Sequence, residues 1–168
     1  MVSRLILFAV LLSAAAPKQL ASHAGDVDAS VQELTAGFLK WEQHHPGATT
    51  PGKPMMLAIP SIDLYSPSGV SLYHGGDSEK NASFIRNLPG NIPHAKTEEV
   101  RPSFQEALEM FDAFKSQKAL SAEGHQYTLF ALTYAGADFC KAQNDAIQQL
   151  RSRAGQIGIR ILEVRLHK

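Results

Sequence analysis

One cysteine, one tryptophan and no net charge set the first limits on this 168-residue chain. A single thiol, Cys140, cannot close an intramolecular disulfide. It is buried and inert, paired with another molecule, or a reactive thiol. Lysine plus arginine and aspartate plus glutamate balance at 16 each. That balance offers no electrostatic grip on nucleic acid or anionic lipid. Beyond the first residues no apolar run approaches the roughly 20 residues that a membrane span needs. Gly-x-Ser-x-Gly, His-Glu-x-x-His and phosphate-binding glycine loops are all missing, so no metal or cofactor is implied. His44-His45 has no partner at metal-ligand spacing and reads as a solvated helix end. There is neither an internal repeat nor a low-complexity tract.

What is present begins with an export pattern. Arg4 is followed by the apolar run Leu5 to Leu12 and then by the small residues Ser13 to Ala16. Residues 1–24 are therefore read as a signal peptide, cut after Ala15 or as late as Ala24. The expected location is periplasmic or secreted, with no integral membrane association after cleavage. Roughly 145 residues would remain, enough for one domain. The apolar fraction of 44% is enough to build a core.

Residues 17–29 are small and polar and read as a loose tail. From Ser30 the stripe Val31, Leu34, Phe38, Trp41 predicts a helix over 30–45, capped by Asp28 or Ser30, and 46–54 reads as a turn-rich linker. The division is thus 25–54, helix and linker, and 55–168, the main domain. Alternation predicts a β-hairpin, Ser61–Tyr65 with Val70–His74, around the turn Ser66-Pro67-Ser68-Gly69. Asp77 or Ser78 caps a helix over 78–88. Asn81-Ala82-Ser83 is a glycosylation pattern where a host glycosylates. Residues 89–102 form a proline-bearing loop. Ser103 and Glu106 make a capping box for a helix over 103–117. Tyr127–Tyr134 and 157–166 are buried strands flanking a helix over 139–154, a βαβ unit with parallel strands. Cys140 falls in the first turn of that helix, where unpaired backbone N–H groups favour a thiolate.

The stretch YTLFALTYAGADFCKAQNDAIQQLRSRAGQIGIRILEVRL resembles the redox-site half of thioredoxin-fold proteins, the exported thiol–disulfide oxidoreductases in particular. Cys140 falls on the second cysteine of their Cys-x-x-Cys motif and Lys141 on the basic residue after it. Ala137 stands where the attacking cysteine belongs. LAIPSIDLYSPSGVSLYHGGDSEKNASFIRNLP resembles the other half, in which a cis-proline opens a hairpin that a helix follows. Pro60 matches that proline. Here this half comes first. Either the chain is circularly permuted, or residues 61–74 are the N-terminal hairpin that decorates exported relatives.

The resemblance implies an α/β fold: thioredoxin-like βαβ plus β-hairpin, three layers with helices on both faces of a mixed sheet. It implies Cys140, Pro60 and Lys141 as site residues, and another thiol protein or small thiol as partner. With Ala137 in the attacking place the two-step dithiol cycle cannot close within the chain. Two functions remain open. One is a single-cysteine redox enzyme or its degenerate relative. The other is a binding or assembly module that presents the 89–102 loop. Exposure of the sulfur discriminates them.

Overall fold

The computed structural model describes residues 26–46, 48, 58–95, 100–115 and 126–168. Residues 1–24, read above as a signal peptide, and most of the expected linker lie outside the described residues. Among the described residues the architecture is mixed α/β: a five-stranded mixed sheet and five α-helices. The strands are β1 (Val27–Ser30), β2 (Ser61–Tyr65), β3 (Ser71–Gly75), β4 (Tyr127–Tyr134) and β5 (Ile159–His167), and the helices α1 (Val31–His44), α2 (Ser78–Arg86), α3 (Phe104–Glu109), α4 (Asp112–Lys115) and α5 (Lys141–Arg151). Across the sheet the order is β1-β5-β4-β2-β3. β1, β5 and β4 run parallel, while β2 is antiparallel to both β4 and β3.

Successive side chains of a strand point to opposite faces, and the central strands are apolar on both. Phe130, Leu132, Leu162, Val164 and Leu166 face α1, α3 and α4. Leu129, Ala131, Ile159 and Ile161 face α2 and α5. Two cores therefore sandwich the sheet, giving three layers. Burying both faces of a strand in this way is what a nearly continuous apolar run requires.

The predicted elements recur with adjusted ends. Ser30 caps α1, its side chain accepting from Glu33 N–H at 3.0 Å, and Leu34, Phe38 and Trp41 are buried. Asp77 caps α2. The capping box at Ser103 and Glu106 is complete. Gly69 takes φ 80 in the hairpin turn, a conformation that glycine adopts without a Cβ clash. The C-terminal helix ends at Arg151, and turns lead to Ile159.

Three differences are physical. Residues 27–29, the end of the expected tail, together with Ser30 form β1 on the parallel edge of β5. Their weak strand propensity is overridden because β5 offers unpaired backbone groups, and Val27 and Ala29 bury on the core side. β1 and α1 consequently share the sheet and core of the later elements. The expected helix over 103–117 is instead α3 and α4, broken at Met110 and Phe111. Glu33 of α1 captures the freed Asp112 N–H at 2.6 Å, so a tertiary contact replaces a helical bond. Finally, Asn81 is wholly buried and donates to Gln143 at 2.6 Å, which removes it as an accessible glycosylation site.

Candidate functional site

The crossover from β4 to α5 positions the predicted thiol. After Tyr134 the chain turns through Gly136 and makes a single 3-10 turn, Asp138–Cys140, before α5. Cys140 is the residue flanking α5, and its sulfur is completely buried. Tyr134 N–H donates to Sγ at 3.4 Å. Burial pushes the thiol above its ordinary value and outweighs that hydrogen bond, which alone would lower it. The expected thiolate at a helix start is thus not what this environment favours. A helix terminus stabilises an anion only where the cost of taking charge out of water is small.

Pro60 lies at the same end of the sheet. Its peptide bond with Ile59 is cis. Ser61 pairs with Leu132, which puts Pro60 beside the last residues of β4. Lys141 is turned outward. Its ammonium bonds Asp145 at 2.6 Å on the exposed face of α5, and that carboxylate raises its pKa. The fold therefore brings Cys140 and Pro60 to one sheet end and engages the predicted cation elsewhere.

A buried amide holds this end together. Gln143 Nε2 donates to Ser61 O at 3.3 Å and to Leu132 O at 3.2 Å, and Oε1 accepts from Asn81. One side chain so joins α5, β2, β4 and α2. Asn81 in turn donates to Gly75 O at 3.2 Å. A Cβ on Gly75 would lie 2.0 Å from Asn81 Oδ1, so only glycine permits this approach.

A second constellation went unread in the sequence. On the α1 face, Asp63 of β2 opposes His74 of β3. His74 Nδ1 lies 3.1 Å from Asp63 Oδ1 and 2.8 Å from Arg101 Nη2, and Arg101 Nη2 is 3.6 Å from Asp63. All three side chains are at most 17% exposed. They line a cavity of about 40 Å³ with Phe38, Tyr65 and Phe130 among its walls. That volume accommodates water rather than an organic substrate. Tyr65 is held neutral: burial raises its phenol well above the usual value, Asp63 adds to the rise and Arg101 opposes it.

Near the end of α1 is a larger cleft of about 220 Å³, lined by Trp41, His44, His45, Glu106 and Met110 among others. His45 Nε2 pairs with Glu106 at 3.0 Å and stacks on Trp41. Among the described residues, no group of three His, Cys, Asp or Glu side chains could hold a metal ion. Nor is any described helix long and apolar enough to cross a membrane. Comparison with protein-family models, with curated proteins and with solved structures finds no match.

Proposed function

We propose that this chain is an exported thioredoxin-like protein whose dithiol chemistry has degenerated, leaving a non-catalytic binding or assembly scaffold. The observation that carries the reading is the state of Cys140: fully buried, with its thiol pKa raised. A redox thiol must reach a second sulfur in line and must ionise to attack it. At Cys140 burial opposes both, closing access to the sulfur and raising the thiol pKa, and Ala137 supplies no second thiol.

The thioredoxin-like arrangement draws support from connectivity. The hairpin that Pro60 opens is an integral part of the sheet, pairing with the strand that leads to Cys140. The helix after it, α2, packs with α5 on one face. That placement favours the permuted arrangement over an added N-terminal hairpin. Export rests on the pattern in residues 1–24.

The test is alkylation of Cys140 in the folded full chain as a function of pH. The expected rate is negligible until denaturant unfolds the protein. A fast native rate with a midpoint well below the free-thiol value of about 8.5 would return the chain to the single-cysteine redox enzymes.

A further inference from the structure

The cleft of about 220 Å³ between α1 and α3 lies between two points where the helices meet. At the first, a Cβ on Gly37 would sit 2.8 Å from the Met110 backbone, so only glycine lets α1 come this close. At the second, His45 Nε2 meets Glu106 at 3.0 Å, and Glu106 accepts from Ser103 N–H at 2.7 Å. Buried Trp41 and Met110 supply an apolar wall between them.

Most polar groups of the cleft are already committed. His44 Nδ1 lies 2.7 Å from Lys40 O and His45 Nδ1 3.0 Å from Trp41 O. Glu106 has one oxygen on His45 and the other on Ser103. Two charges are left over. Among the described residues the Lys40 ammonium has neither a hydrogen bond nor an ion pair. Glu109 accepts from Gln105 Nε2 at 3.1 Å with one oxygen and keeps the other. Lys40 stands on α1 and Glu109 on α3; both line the cleft, yet they do not pair with each other.

We propose that this cleft binds a small zwitterion, an α-amino acid with an apolar side chain. The ligand carboxylate meets Lys40, its ammonium meets Glu109, and its side chain lies against Trp41 and Met110. A plain anion would gain Lys40 but be repelled by Glu109, and a plain cation the reverse. Only a ligand with both charges satisfies both walls. The volume sets the size: it falls below the roughly 300–1,000 Å³ of drug-sized sites. None of the lining residues belongs to the Cys140 end of the sheet, so the site stands whether or not that thiol reacts.

Trp41 is the chain's single tryptophan, so its indole N–H gives one unambiguous signal in a proton–nitrogen correlation spectrum of the full chain. Titration with L-leucine into the millimolar range should shift that signal to saturation. Leucine methyl ester lacks the carboxylate and the deaminated acid lacks the ammonium. Each should bind about fivefold more weakly, the worth of one exposed ion pair. Two variants separate the charges, both at exposed helix positions. Lys40→Met should erase the preference for leucine over the ester and keep the preference over the acid. Glu109→Gln should do the converse. An indole signal that leucine does not move overturns the site. Equal binding of leucine and its two analogues to the wild-type protein overturns it as well, and neither result depends on a variant. A variant that weakens all three ligands alike would show that its charge does not select the ligand and would also count against the assignment.

Discussion

Gln143 shows what one buried residue does here. Two backbone carbonyls on different strands and the amide of Asn81 all bond its side chain. Gln143→Leu keeps the approximate volume but removes three buried hydrogen bonds. At about 1 kcal/mol for each, the change should cost about 3 kcal/mol. Urea unfolding should show a lower midpoint with an unchanged slope. Cys140, three residues earlier, owes its burial to the same docking, so the variant should also speed its alkylation. Nothing in the sequence singled out Gln143, because a glutamine on a helix usually faces water. Position 143 turns inward where α5 crosses the ends of β2 and β4, and only the packing shows it.

Among the elements, those with strong local signals were legible. Tyr127–Tyr134 appears with the predicted bounds, and α1 and α2 begin at their predicted caps. Ser103→Ala should remove a real cap from α3, at a cost of about 1 kcal/mol, readable as a lower thermal midpoint. The hairpin was also legible, but its register was not. Pairing Tyr65 with Val70 across the turn would have set Asp63 opposite Leu72. The structure instead pairs Tyr65 with Ser71 and, after an irregularity between Leu64 and Tyr65, Asp63 with His74. A bulge of this kind shifts partners without changing the strand pattern. The Asp63–His74 pair therefore had no signature in the hydrophobic alternation.

For the molecule as a whole, acid stability should carry the mark of Glu106. Burial raises this carboxyl, but the Ser103 side-chain and backbone hydrogen bonds, the charge of His45 and the Trp41 indole together bring it below its ordinary value. A depressed folded pKa means that the unfolded chain binds the proton first as pH falls. The contribution is therefore complete above the ordinary carboxylate range and is lost as pH drops through the depressed value. The stability difference between wild type and Glu106→Gln should be constant near neutrality and shrink between about pH 5 and about pH 3. A difference that stays level across that window would mean that the carboxylate is not what joins α3 to the end of α1. The same scale explains β1. Its partner β5 is 137 residues away in sequence, and local propensity carries no information about a pairing so distant.

From the sequence alone came the α/β class, the βαβ unit, the caps and a thiol with no second cysteine in the chain. Each follows from contacts within a few residues or from composition. Tertiary structure decided the strand order, the split of the α3–α4 segment, the meeting of Asp63, His74 and Arg101, and above all the environment of Cys140. A helix start argues for a thiolate, whereas the layers closed over it argue for a neutral thiol. Burial wins because desolvation penalises charge more than one backbone N–H can return. How much water reaches the sulfur is set by elements that the local sequence does not contain.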